Sequence, residues 1–272
     1  MLPSQIHLNE RCRWINPEID LCTPKADGFI LYWMRFALRA EENPALDVAI
    51  STANLHNCQL LVVQQLNCQD EYSSDRHYTF ALEGAADVQA QLADKGISYA
   101  FHLTPSKNDS SPLAELARQA ELVITEEMPT TFARKELDSL SNLVETPFLC
   151  VDASCVLPMQ LSNGAFTRAF EYRNATKDEY EKRVSIPWPA TLLSPRPFPI
   201  DELPFQPVDF KSANINDLIS SCEIDHSISP VVDTQGGTTA GYQRWDAFKE
   251  KHLSRYADRR NDPLLNGVSR MS

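Results

Sequence analysis

The chain has 272 residues, more than one typical domain and enough to bury a sizeable core. Its 43% hydrophobic and 23% charged residues match an ordinary globular protein, and no apolar run approaches the length of a bilayer span. The net charge of −12 argues against this chain gripping nucleic acid by itself.

Residues 1–27 open with MLPSQIHLNERCRW, which lacks the apolar core of a secretory signal, so the expected location is cytoplasmic. They read as an irregular leader that packs Trp14 and Ile15 on the surface of the domain that follows. The seven cysteines are Cys12, Cys22, Cys58, Cys68, Cys150, Cys155 and Cys222, with no C-x-x-C pair among them. That spacing favours buried free thiols in a reducing compartment over a zinc or thioredoxin-like site, and no metal site is expected.

Gly28–Ile50 organises the rest. Phe29–Met34 is apolar or aromatic without a break, as in a strand buried on both faces of a parallel sheet. Asn43-Pro44 then starts a helix, because asparagine accepts from a free backbone N–H and proline fits the first helical position. Gln59–Gln65 reads as a second strand, and Leu66–Ser74 as a loop. A long helix follows over Asp75–Lys95, with Tyr78, Ala81, Leu82, Ala85, Val88 and Leu92 on one face and Gly96 ending it. Ile97–Leu103, Glu121–Glu126 and Pro147–Val151 are further strands, with helices at Pro112–Ala120 and Thr131–Leu143.

Five strands alternating with four helices predict an α/β domain built on a five-stranded parallel, doubly wound, Rossmann-like sheet. A ligand of such a sheet sits beyond the carboxyl ends of its strands. The first such turn, RFALRAEE, has no glycine and no G-x-G-x-x-G, which argues against a dinucleotide pyrophosphate there. No Walker A lysine loop is present either.

LYWMRFALRAEENPALDVAI resembles the opening of class II cyclobutane-pyrimidine-dimer photolyases, carried here by Tyr32, Trp33, Met34, Arg39, Asn43, Ala45 and Leu46. Arg76-His77-Tyr78 with Leu82-Glu83-Gly84 continues the likeness, as do GISYAFHL, LAELARQAELVITEEMPTTFARKE and Cys155-Val156-Leu157-Pro158. The resemblance implies an antenna domain over 28–157 that holds a deazaflavin or folate, although no single residue marks that chromophore.

A connector is expected over 158–235. Helical pieces lie within Leu161–Val184, with Thr176-Lys177-Asp178-Glu179 as a capped start. Prolines at 187, 189, 195, 197, 199, 204 and 207 then favour an extended path over other structure. Within it, the stretch AFTRAFEYRN has no counterpart in the class II pattern.

Residues 236–272 resemble the start of the photolyase flavin domain, through Gly236, Gly237, Trp245, Phe248, Tyr256, Arg260, Asn261, Asp262, Pro263 and Gly267. In that family a tyrosine and a serine-x-leucine-serine turn hold the flavin phosphates. By position these are Tyr256, Ser269, Met271 and Ser272, with methionine in place of leucine.

The likeness stops where such enzymes continue into a helical domain that encloses FAD and binds the flipped dimer. The expectation is therefore a short helical C-terminal segment with no catalytic residues of its own. FAD would not be retained, since a tyrosine and a turn cannot bury a dinucleotide. UV-damaged DNA would be a partner only of the complete enzyme, and a second polypeptide could supply the flavin region. The alternatives are a free-standing module for a deazaflavin, folate or nucleotide, and a docking protein with no small ligand.

Overall fold

The computed structural model describes residues 6–16, 28–68, 71–104, 112–162, 164–188, 194–262 and 264–265. A short helix α1 (Ile6–Asn9) precedes β1 (Cys12–Trp14), and then β2 (Phe29–Met34) buries all six of its residues. α2 (Pro44–His56) and β3 (Gln59–Asn67) complete the first βαβ unit, with β3 running two residues beyond its expected end. α3 (Asp75–Asp94), β4 (Ser98–Thr104), α4 (Pro112–Gln119), β5 (Leu122–Glu126), α5 (Thr131–Ser141) and β6 (Phe148–Val151) follow. After them come α6 (Ala169–Val184), β7 (Arg196–Pro197), α7 (Ile215–Ser220), α8 (Thr238–Lys251) and α9 (Tyr256–Arg259).

The five expected strands pair in parallel in the order β6-β5-β2-β3-β4, which makes the first of them the central one. The sheet has seven strands, not five. β1 adds antiparallel to β6, with Arg13 opposite Cys150, and β7 pairs with the first two residues of β3. The leader is thus not irregular throughout. A three-residue edge strand carries no apolar run to betray it; Arg13 instead reaches across to Glu127 in a two-pronged ion pair of 2.7 and 2.9 Å.

One sheet face, from Phe29, Leu31, Trp33, Leu61 and Val63, packs on α4 and α5 through Leu113, Leu116, Leu137 and Leu140. α2 covers the opposite face, which is what a doubly wound order requires. The proline-rich stretch lies against the same core. Phe198 is buried there, edge-on to Phe29 at 4.8 Å, and the Ser98 hydroxyl bonds both the N–H and the carbonyl of Phe198. α6 begins at Ala169, so Thr176 is no helix start. It lies mid-helix with its hydroxyl donating to the Tyr172 carbonyl, since Arg168 already takes the extended cap conformation.

The chain divides into two compact units, Met1–Asn67 with Gln91–Val208, and Cys68–Ala90 with Asp209–Ser272. The sheet belongs to the first. In the second, the front of α3 holds the start of α8. The Glu83 carboxylate accepts from Gly236 N at 2.6 Å, and Asp87 accepts from both Thr239 N and its hydroxyl. Asp87 thereby satisfies a first-turn donor that the helix start leaves free, and both carboxylates sit at the positive end of the helix dipole. The double glycine is what allows the approach. A Cβ on Gly236 would press into the Phe80 carbonyl oxygen, and Gly237 has φ +100°.

Gly236→Ala is accordingly expected to cost about 3 kcal/mol in urea unfolding, because a backbone carbonyl cannot step aside. Gly241→Ala, within α8 and with open space around it, should instead stabilise by up to about 1 kcal/mol. Equal effects from the two would refute the packing role of the double glycine.

Candidate functional site

The centre of the sheet changes winding direction between β2 and β5, and the carboxyl ends of these strands open the crevice where doubly wound folds take ligands. Here that end is closed from within. Glu126, the last residue of β5, is buried and accepts from the Tyr32 hydroxyl at 2.6 Å, Arg35 N at 2.9 Å and Ala37 N at 3.3 Å. In a nucleotide-binding fold such loop amides would face a phosphate. In this chain a carboxylate of the protein occupies them.

The next donors along the chain are spent in the same way. The Asn43 side-chain oxygen accepts from Ala45 N and Leu46 N at the start of α2, each at 3.1 Å. Its NH2 group donates to the Tyr32 hydroxyl and to the carbonyls of Ala37 and Arg39. The missing glycines and the filled amide cradle both argue against a pyrophosphate on this turn.

Burial outweighs the three donors and raises the Glu126 carboxyl above its ordinary value of 4.5. Burial, then the neighbouring carboxylate, holds the Tyr32 phenol well above its usual range.

Outward from this plug lies a cleft of 1070 Å³ within the first unit, floored by the loops after β2 and β6. Arg39 ties those loops together, donating to the carbonyls of Glu42 at 3.0 Å and Ala153 at 2.9 Å. The β6 loop is shaped by buried Asp152, whose carboxylate accepts from the amides of Ser154, Cys155 and Met159. Arg11, buried, donates to the carbonyls of Asp152, Cys155 and Val156, and burial lowers its pKa.

The far wall comes from the end of α6 and the residues after it. Arg183 forms a two-pronged pair with Glu10, while Lys182 bonds Glu179 at the rim. Trp188 donates its indole N–H to Asp47 at 2.8 Å, stands edge-on to His7 at 5.4 Å and lies under the Arg11 guanidinium. The cleft thus offers apolar and aromatic surface beside four cationic side chains, Arg11, Arg39, Lys182 and Arg183, and three carboxylates, Glu10, Glu42 and Glu179, with each cation already bonded to a carbonyl or a carboxylate. That chemistry suits a flat heteroaromatic ligand with an anionic tail. Among the described residues no three His, Cys, Asp or Glu side chains gather as a metal site.

Of the sequence-derived flavin residues, Tyr256 alone lies among the described residues. Tyr256 is partly exposed, with its ring edge-on to Phe248 at 5.8 Å and beneath Arg260, in the second unit. Ser269, Met271 and Ser272 lie outside the described residues. Glu126, Asp152, Arg11 and Trp188 were not legible as site residues. The one available signal was an acid at the end of a buried strand in LVITE and directly after one in FLCVD.

A family model described as DNA photolyase matches residues 30–189, more than half of the chain. The deoxyribodipyrimidine photo-lyase of Methanothermobacter thermautotrophicus is 26% identical over 266 residues, covering 97% of this chain and 56% of that one. Among solved structures, the Sulfolobus tokodaii photolyase superposes with a TM-score of 0.59 at 15% identity over 89% of this chain and 50% of its own. That structure contains two FAD molecules and implies a novel light-harvesting cofactor for that enzyme. A Synechocystis sp. PCC6803 cryptochrome gives 0.61 at 15% identity, over 87% and 49%. The chain therefore spans about half the length of the relatives it matches.

Glu126→Gln is expected to cost about 2 kcal/mol at neutral pH, since an amide offers one oxygen where the carboxylate offers two to Tyr32 and two amides. The sign of the pH effect follows from the raised carboxyl. Its stabilising contribution is full below the unfolded value of about 4.5 and is lost as pH rises through the higher folded value. In paired urea titrations from about pH 4 to about pH 8, the deficit of the variant should therefore shrink with rising pH. A constant deficit would show that Glu126 does not titrate in this way.

Proposed function

The chain belongs to the DNA photolyase family, and from that premise we propose that it is the antenna-bearing half of a class II deoxyribodipyrimidine photolyase. Light-driven repair of pyrimidine dimers would then require flavin-enclosing and DNA-binding elements that the antenna domain does not supply, in the same or a second polypeptide. The net charge of −12 supports that division of labour, because a phosphate-gripping surface needs an excess of cations. The proposed setting is the cytoplasm, and no helix among the described residues is long and apolar enough to cross a membrane.

The observation that carries the reading is the cleft beyond the carboxyl ends of β2 and β6 in a chain of this family. Its proposed ligand is an antenna chromophore of the deazaflavin, folate or flavin class, which when bound supplies absorption in the near-ultraviolet or blue. The chain's own residues hold it. Trp188 and Val184 offer the apolar wall, while Arg11, Arg39 and Arg183 would meet an anionic tail by exchanging carbonyl partners or Glu10 for it. Because Glu126 and Asn43 consume the backbone donors of the β2 turn, the negative groups of the ligand would meet guanidinium groups and not an amide cradle.

The test is the absorption spectrum of the purified chain, followed by titration with a deazaflavin, a reduced folate and FAD. One of these should bind in the cleft. Ser154→Trp, an exposed position on its floor, should weaken binding at least about tenfold with an unchanged circular dichroism spectrum. Failure of all three to bind, or equal binding by the variant, would overturn the cleft assignment. Stoichiometric FAD insensitive to Ser154→Trp would place a flavin elsewhere and contradict the expectation that this chain does not retain one.

A further inference from the structure

Two cysteines far apart in sequence meet inside the second unit. Cys68 follows β3, Cys222 lies just past α7, and the Cys222 thiol donates to the Cys68 sulfur at 2.9 Å across a separation of 154 positions. Both are buried, at 1% and 3% exposure. Among the described residues no other two cysteine sulfurs are in contact.

Their backbones are fixed as well. Glu223 N donates to the Cys68 carbonyl at 2.7 Å, and Asp225 N to the Ser73 carbonyl at 3.1 Å. Beside them His226 bridges Asp75 and the Cys222 carbonyl. The two sulfurs are thus held together by the surrounding chain, and joining them needs little movement of either segment.

We propose that Cys68 and Cys222 form a reversible disulfide site, oxidised by hydrogen peroxide or a related hydroperoxide, that fastens the segment after α7 to the residue directly after β3. In the first step one cysteine, as its thiolate, attacks a peroxide oxygen. The S–O bond forms, the O–O bond breaks and hydroxide leaves, giving a sulfenic acid. The second sulfur then displaces the hydroxyl group as water, forming S–S and losing its own proton. Two thiols and one peroxide yield one disulfide and two waters.

Burial makes the pair quiet at rest. It pushes the Cys68 thiol up to about 12 and raises Cys222 too, so neither is a ready nucleophile in the closed state. Reaction is expected to proceed through local opening of the Cys222–Asp225 segment. Once formed, the bond closes a very long loop and restricts the unfolded chain.

The experiment treats the purified full chain with hydrogen peroxide, blocks the remaining thiols with N-ethylmaleimide and maps peptides by mass spectrometry. The peptides bearing Cys68 and Cys222 should be recovered joined, lighter by two hydrogens, and be separated by dithiothreitol. Oxidation should raise the melting temperature of the wild type by about 5 °C and leave Cys68→Ser and Cys222→Ser unshifted. Recovery of Cys68 and Cys222 both as maleimide adducts, after treatment that oxidises Cys12 or Cys155, would overturn the proposal. So would their preferential linkage to other cysteines. Should either serine variant fail to fold, the wild-type peptide map decides the matter by itself.

Discussion

The contact of Glu126 with the turn after β2 is the constraint on which the rest of the first unit depends. A carboxylate placed by a buried strand accepts from one phenol and two amides, and so fixes where the central strand ends and in which direction its chain departs. Each such bond to a charged acceptor contributes about 1.5–3 kcal/mol, against a desolvation cost of similar size. The raised carboxyl pKa shows that desolvation is not fully offset. The net stabilisation is therefore modest, and the main effect is structural. An acid in this place occupies the amides that a bound phosphate would need.

The cleft beyond that turn is assembled from segments that no local pattern connects. Arg11 reaches from the leader to the carbonyls of the β6 loop, and Trp188 returns from beyond α6 to bond Asp47 on α2. These contacts differ in worth. The rim pair of Lys182 with Glu179 is exposed, at 68% and 49%, and contributes little. Arg11 is buried and hydrogen-bonded by three carbonyls, so its loss would strand those acceptors and open the floor of the cleft. The walls of the site and the stability of the leader are thus the same set of interactions.

In the second unit, charge and backbone act together at one helix start. Glu83 and Asp87 lie one turn apart on α3 and face the amides of Gly236 and Thr239, an approach that a side chain at position 236 would block. Nearby, both ring nitrogens of His226 face acceptors, Asp75 and the Cys222 carbonyl, which suits the doubly protonated ring and raises its pKa, chiefly through Asp75. That contribution is present below about 6.5 and fades as pH rises through the raised value.

The sequence by itself determined the five parallel strands of the sheet. Unbroken apolar runs such as Phe29–Met34, spaced by amphipathic helices and punctuated by Asn43-Pro44 and Gly96, admit few other structures, because backbone period and burial are local properties. It also carried the family resemblance, which depends on the order of residues and not on their contacts. Tertiary structure alone decided that Arg13 sits on an antiparallel edge strand and that Phe198 belongs to the core. It alone brought Cys68 to Cys222. It alone, too, turned Glu126 from the polar end of a strand into the acid that fills the turn after β2. The physical reason is common to all four: each contact joins residues dozens of positions apart or more, so no periodicity records it, and only the closed chain supplies the partner.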